Sequence, residues 1–309
     1  MNKYLYSLII LLSIQISTSS QSIKLASNIW PPFTNKVGKK AISRDIVREV
    51  LTRSGYKTEF SVTEFSNVLT GLSSQSFDAC PAIWFTEERN KSLLFSESYL
   101  TNKLILVGRK GSDVSFKSLT ELSEKQVAIV GDYAYGPLIE SAKNVKFIKG
   151  ENDQQNLNWL INDSVDYVLV EALLIQYLMI DQREATNKYL EIGKNTIIER
   201  SLHFAVRKDY PNADTVINNF NRELKTLIVE GIYNKILQLN WIQVDVDNDG
   251  KSEMVLVGKH AGKTAPEDAY SVFNKNDSPK VDQRYFIQGK YYDSWGEVPD
   301  SFQSCCTPI

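Results

Sequence analysis

The chain has little of what soft-metal and nucleophilic sites need: three cysteines and two histidines in 309 residues. Cys80 stands alone, Cys305 and Cys306 are neighbours, and His203 and His260 lie far apart. That spacing indicates neither a zinc cluster nor a histidine-based triad. An odd cysteine count leaves one thiol over or an intermolecular bridge, and adjacent cysteines can bond each other only through a strained ring. Cys80, inside an apolar stretch, is expected as a small core residue. A net charge of −2 supplies no basic field to recruit nucleic acid or an acidic membrane. Beyond the N-terminus no apolar run is long enough to cross a bilayer, and no internal repeat is evident.

What the sequence does hold is apolar and aromatic. Hydrophobic residues make up 42%, with fifteen Tyr, thirteen Phe and five Trp. The length allows one large domain or two ordinary ones. At the N-terminus, Lys3 precedes an apolar run from Leu5 to Ile16 and then Ser17-Thr18-Ser19-Ser20. A basic start, a short apolar stretch and small residues predict a signal peptide over 1–20, with a retained anchor as the alternative. No cysteine follows it to carry a lipid. The mature chain is expected in the periplasm, starting near Gln21.

From Ser22 to about Asn240 strand and helix patterns alternate, which predicts parallel sheets covered by helices. Ile23 to Ser27 alternates as a strand. Ile46, Val47, Val50 and Leu51 form a helical stripe stopped by Gly55. Lys57 to Val62 is the next strand, and Thr63 is the expected N-cap of a helix carrying Phe65, Val68, Leu69 and Leu72. Two apolar strands, Leu104–Val107 and Leu202–Val206, read as crossings between two lobes. Lobe I is expected over 21–107 and again over 202–240, and lobe II over 108–201. Residues 241–309 form a polar, tyrosine-rich extension.

Three segments carry the chemistry: Trp30-Pro31-Pro32-Phe33; Thr86-Glu87-Glu88-Arg89 with Phe95-Ser96-Glu97-Ser98-Tyr99; and Asp166 through Glu171. Arg89 follows one strand and Glu171 ends another, where open α/β sheets place ligand contacts. Together these segments resemble the family 3 periplasmic solute-binding proteins of ABC importers, of the polar amino-acid type, over about Ile23 to Asn240. The resemblance implies a two-lobed type II periplasmic binding protein fold with a ligand cleft between the lobes. It also implies that Trp30 covers the ligand side chain, that Arg89 grips its carboxylate, and that Glu171 receives its ammonium across a gap wide enough for a metabolite. The planar guanidinium fork suits a carboxylate; the alternative for Arg89 is an ion pair with Glu87 or Glu97. Tyr133 and Tyr135, in the turn before Pro137, are expected on the second lobe's wall. Trp84 stands where relatives commonly carry a hydroxyl, which favours a narrow site or a flatter ligand.

In the extension, Asp245-Val246-Asp247-Asn248-Asp249-Gly250-Lys251-Ser252-Glu253 spaces carboxylates as a Ca²⁺ loop does. The expected ligands are the side chains of Asp245, Asp247, Asp249 and Glu253 with the Lys251 carbonyl; the alternative is a solvated acidic turn. With a strand after it, the loop resembles FG-GAP/VCBS calcium loops. Arg284–Tyr292 is expected to pair antiparallel with the 254–257 strand. The function expected is extracytoplasmic capture of a small polar or zwitterionic metabolite, delivered to an ABC permease by a monomer. Alternatives are a periplasmic sensory receptor, a dehydratase-like enzyme on the same scaffold, and a calcium-dependent adhesion module with a collapsed cleft.

Overall fold

The computed structural model describes residues 21–36, 38–237, 241–247, 249–256, 261, 265–266, 270–271 and 280–303. The signal segment, His260 and the Cys305–Cys306 pair lie outside the described residues.

The first half of lobe I comprises β1 (Ser22–Ser27), α1 (Ile42–Arg53), β2 (Lys57–Val62), α2 (Phe65–Ser73), β3 (Ala79–Trp84), α3 (Glu87–Asn90) and β4 (Leu93–Phe95). The long β5 (Leu100–Arg109) crosses to lobe II, which holds β6 (Gln126–Val130), α4 (Pro137–Ser141), β7 (Lys146–Gly150), α5 (Asp153–Ile161), β8 (Tyr167–Glu171), α6 (Ala172–Asp181) and α7 (Arg183–Tyr189). The chain returns on β9 (Leu190–Arg207) and closes lobe I with α8 (Ala213–Val229) and α9 (Ile232–Leu237). The extension adds β10 (Trp241–Val244), β11 (Lys251–Leu256), β12 (Tyr270–Ser271), β13 (Lys280–Ile287) and β14 (Lys290–Tyr292).

Strand order runs β2-β1-β3-β9-β5-β8-β6-β7, with β4 paired to β9 outside that path. Each lobe therefore repeats one plan. In lobe I, β1 lies parallel between β2 and β3, and β9 runs antiparallel beside β3. In lobe II, β6 lies parallel between β7 and β8, and β5 runs antiparallel beside β8. Both central strands are switch points, whose carboxyl ends open toward a ligand crevice.

The crossings are longer than the sequence suggests, since β9 starts at Leu190. Its register against β5 slips twice, between Leu104 and Ile105 and between Ile105 and Val107. Extra β9 residues bulge there, and a Cβ on Gly193 would meet the Leu106 carbonyl oxygen at 2.6 Å. Only glycine permits that close approach.

The apolar pattern explains the packing. Ile46, Val47, Val50 and Leu51 are fully buried, as are Val216, Phe220 and Leu227 of α8. Gly55 adopts φ +86° and ends α1 as expected, and Pro137 occupies the first turn of α4. Thr63 does not cap α2: the N-cap position is Glu64, without a side-chain bond, and Thr63 Oγ1 accepts from Asn67 instead. Cys80 is buried in β3, and burial pushes its thiol up to about 12.

The extension forms its own sheet, ordered β12-β10-β11-β13-β14. β13 runs parallel to β11, which corrects the antiparallel pairing expected from sequence; the antiparallel partners are β10 with β11 and β13 with β14. Trp241, Ile287 and Val298 make a small separate core. Val246, Val255 and Phe286 pack instead into the main core of the lobes.

Candidate functional site

The cleft is built from loops at the carboxyl ends of the parallel strands. After β1 come Asn28 and Trp30, after β3 come Phe85 and Arg89, and after β6 come Asp132 to Gly136. Trp30 is 4% exposed and its backbone is pinned by paired bonds to Thr34, so its ring is directed inward. Trp84 ends β3 and donates its indole N–H to Asn102 Oδ1 at 2.7 Å. Thr86 caps the short α3 by accepting from the Arg89 backbone N–H at 3.1 Å, which fixes where the arginine starts.

Arg89 makes no ion pair with Glu87 or Glu97, which removes the structural alternative for it; Glu97 pairs with Lys225. Its guanidinium donates to the Trp84 carbonyl at 2.9 Å and to the Asp132 carbonyl of lobe II at 3.0 Å. It lies 5.3 Å from the centre of the Phe65 ring. Burial lowers its pKa to about 10, opposed by Cys80 and reinforced by Arg200. At neutral pH it remains a cation held by neutral carbonyls.

Tyr133 crosses from lobe II into this space. Its ring lies 5.3 Å from Trp84 and 5.5 Å from both Trp30 and Phe65, all edge-on, and Asn28 Nδ2 donates to its hydroxyl at 2.9 Å. Tyr135 packs 5.5 Å from Trp84, and its hydroxyl accepts from the Val130 N–H at 2.9 Å. The chamber left among Asn28, Trp30, Phe65, Trp84, Arg89 and Tyr133 measures about 10 Å³. That is room for one water. The wide gap expected from sequence is therefore not present: aromatic rings from both lobes meet in this conformation and close it.

Five of the six expected ligand residues, Trp30, Trp84, Arg89, Tyr133 and Tyr135, are brought together. Glu171 is not. It is 2% exposed, its Oε2 accepts from the backbone N–H of Leu173 and Leu174, and its Oε1 accepts from Lys103 N–H at 3.2 Å. The carboxylate caps α6 and braces β5 rather than lining the chamber. The expectation missed this because a strand-terminal acid before a helix reads equally as cap and as ligand.

A second, open cavity of about 320 Å³ lies at the lobe interface, lined by Ile29, Pro31, Lys36 and Glu64 on one side and by Asp153 and Asp181 on the other. Burial raises the Asp153 carboxyl to about 7. Its charge reaches Tyr133 and Tyr135, whose hydroxyls are pushed well up, first by burial and then by Asp153. Asn28 and Phe65 line the chamber, Asn102 and Arg200 contact Trp84, and Asp153 lines the open cavity; none of the five was singled out from sequence as a site residue. Only Asn28, two residues before Trp30, carried a positional signal; the others depend on strand register and lobe closure.

Residues 24–243 match the bacterial extracellular solute-binding proteins, family 3. The chain belongs to that family. It is 27% identical over 222 residues to the L-cystine-binding protein TcyA of Bacillus subtilis (strain 168), covering 70% of this chain and 79% of that one. Among solved structures, it is similar to an ancestral arginine-binding protein bound to arginine, with TM-score 0.60 and 26% identity over 70% of this chain and 96% of the other. The P235GK mutant of ArgBP from T. maritima shares the fold, with TM-score 0.60 and 21% identity over 70% of this chain and 93% of that one. The two-lobed binding-protein architecture and a solute-binding role follow from the family. These relatives are binding proteins rather than enzymes. The family match stops at residue 243, before the acidic loop.

In that loop, carboxylate oxygens of Asp245, Asp247 and Glu253 come within 4.8 Å of one another. Backbone N–H groups fold the loop onto its acids: Gly250 donates to Asp245, Lys251 to Asp249 and Val246 to Glu253. Arg284 reaches in from β13, 2.7 Å from Glu253 and 3.6 Å from both Asp247 and Asp249. Asp249 is outside the close group of three, and Lys251 opens β11.

Proposed function

We propose that this protein captures a small amino-acid-like metabolite outside the cytoplasm and hands it to an ABC permease, acting by binding and not by catalysis. The observation that carries the reading is Arg89, a partly buried guanidinium at the carboxyl end of β3 whose acceptors among the described residues are two backbone carbonyls, one from each lobe. A ligand carboxylate is a stronger acceptor than either carbonyl and would replace them. Trp30, Phe65 and Trp84 supply flat walls for the remainder of the ligand. Since Glu171 is engaged as a helix cap, an ammonium would face the acids around the open cavity, Glu64, Asp153 and Asp181. The relatives named for cystine and arginine support the amino-acid class.

The test is a thermal-shift and calorimetric panel of amino acids on the mature chain. Binding is expected from at least one member, and Arg89→Ala is expected to abolish it. Retained affinity in that variant would remove Arg89 from the site, and a silent panel would remove the ligand class. Export by a signal peptide cleaved near Ser20, with a periplasmic monomer as the product, belongs to the same proposal.

We also infer that the 245–253 loop takes Ca²⁺. Oxygens on opposite sides of a calcium ion stand about 5 Å apart, a span the three close carboxylates match, and Asp245 Oδ1 is buried with no hydrogen-bond partner among the described residues. Asp245, Asp247 and Glu253 would hold the ion, with Asp249 turning inward. Arg284 supplies the competing internal cation.

A further inference from the structure

A second guanidinium stands beside the first. Arg200, on β9, donates to the Phe85 carbonyl at 2.7 Å, while Arg89 holds the carbonyl of the preceding residue, Trp84. The two cations are thus anchored on consecutive carbonyls at the end of β3. Arg200 lies 6.0 Å from the Trp84 ring centre and closely abuts the lobe II turn, since a Cβ on Gly136 would be 3.0 Å from its Nη1. Burial, and after it the positive charge of Arg200, lowers the pKa of Arg89, and burial lowers that of Arg200. Neither guanidinium forms an ion pair with a carboxylate among the described residues.

Two donors here also lack acceptors. Asn102 is register-paired with Arg200 across β5 and β9, so both side chains rise on one face, the Trp84 side. Asn102 is 0% exposed, and its Oδ1 is occupied by the Trp84 indole. Its Nδ2 and the Nε of Arg200 are both buried and have no hydrogen-bond partner among the described residues. Buried donors of this kind carry a desolvation cost that an acceptor would relieve. Two cations without carboxylate partners, anchored on the Trp84 and Phe85 carbonyls, and two donors without acceptors beside the Trp84 indole make a region rich in donors and short of acceptors.

We propose that the cleft is built for a ligand with two carboxylates, one on Arg89 and the second on the Arg200–Asn102 pair, a dicarboxylic amino acid in preference to a neutral or basic one. This rests on the amino-acid reading above and sharpens its ligand class. The second carboxylate reaches the pair when the lobe II loop carries Tyr133 and Tyr135 away from Trp84. Glu64, Asp153 and Asp181, around the open cavity, leave the ammonium directed outward.

The test uses matched pairs on the mature chain: L-glutamate against L-glutamine, and L-aspartate against L-asparagine, by calorimetry. The acid of at least one pair is expected to bind about tenfold or more tightly than its amide, the equivalent of one charge-assisted hydrogen bond. Arg200→Gln is expected to bring the acid-to-amide affinity ratio down to about one, whatever the amide's own affinity becomes. Asn102→Asp, which supplies an internal acceptor beside Arg200, is expected to raise the Tm of the ligand-free protein and also to remove the preference. Amides that bind as tightly as the acids would overturn this inference and leave the amino-acid reading intact. Equal weakening of acid and amide by Arg200→Gln would overturn it too, reducing Arg200 to a brace for Trp84. Silence in every arm, with a wider panel also silent, removes both readings.

Discussion

On the function proposed above, Tyr133 occupies the space a ligand would take, and this gives its removal an unusual expected outcome. Its ring makes three edge-on contacts with lobe I aromatics, at 5.3 to 5.5 Å from Trp84, Trp30 and Phe65, and its hydroxyl takes one hydrogen bond from Asn28. At roughly 1 kcal/mol for each aromatic pair, the contacts favour the ligand-free closed form by about 3 kcal/mol. Ligand binds the open form, so apparent affinity is reduced by the fraction of molecules that are open. Tyr133→Ala removes the competitor and should tighten binding by up to about 100-fold, although it deletes an aromatic side chain from the site. Tyr133→Phe keeps the rings, loses only the Asn28 bond, and should tighten binding about fivefold. Calorimetry with a ligand from the panel measures both. Small-angle scattering of ligand-free Tyr133→Ala should show a larger radius of gyration than wild type. If Tyr133→Ala weakens binding, or leaves both affinity and dimensions unchanged, Tyr133 is a wall of the site and not its occupant.

Glu171→Ala should lower stability by about 2 kcal/mol through loss of the α6 cap while ligand affinity stays within about twofold; a tenfold affinity loss at unchanged Tm would return Glu171 to the ligand. Asp153 has a folded pKa raised from 3.8 to about 7, so the folded state binds its proton more tightly and the group's contribution to stability falls as pH rises between those values. The Tm of wild type relative to Asp153→Asn should therefore decline from about pH 4 to about pH 7 and then level off; parallel curves would show that the carboxyl is not desolvated. Millimolar Ca²⁺ should stabilise the extension by about 1 kcal/mol, Asp247→Ala should erase the gain, and Arg284→Gln should tighten calcium binding; no response in either wild type or Arg284→Gln would refute the calcium loop.

The fold was legible because it follows from local patterns. Apolar stripes such as Ile46, Val47, Val50 and Leu51 mark a helix face whatever its partner, and Gly55 marks its end. The positions of Arg89 and Trp30 were legible because a residue directly after a strand has a fixed address in an α/β lobe. Glu171 shows the limit of that reasoning, since a strand-terminal acid has two uses and only the contacts of its oxygens separate them. Asn102 and Arg200 were hidden for another reason. They are 98 positions apart and meet only through the β5–β9 register, which bulges shift by several residues. Tyr133 was placed on the correct wall, but its entry into the chamber depends on how far the lobes close. The parallel pairing of β13 with β11 was hidden because the sequence between them carries no periodic signal.

The two guanidiniums differ from their lobe II neighbours in what would move with them. Arg89 and Arg200 are held by the Trp84 and Phe85 carbonyls, and Asn102 by the Trp84 indole, all on the lobe I side of the register slips in β5 and β9. The Asp132 carbonyl, Tyr133 and Gly136 belong to the loop after β6. Bulged, irregularly paired strand is the segment of each crossing where bending breaks the fewest ladder bonds. Bending there carries the β6 loop away while Arg89, Arg200 and Asn102 keep their mutual spacing. A ligand would then meet a preformed donor set on lobe I first, and the lobe II loop would close over it afterwards. Closing without ligand places Tyr133 in the same chamber and the Asp132 carbonyl on Arg89. Ligand and Tyr133 are thus alternative occupants of one closed geometry, and the difference in their contact energies sets the affinity.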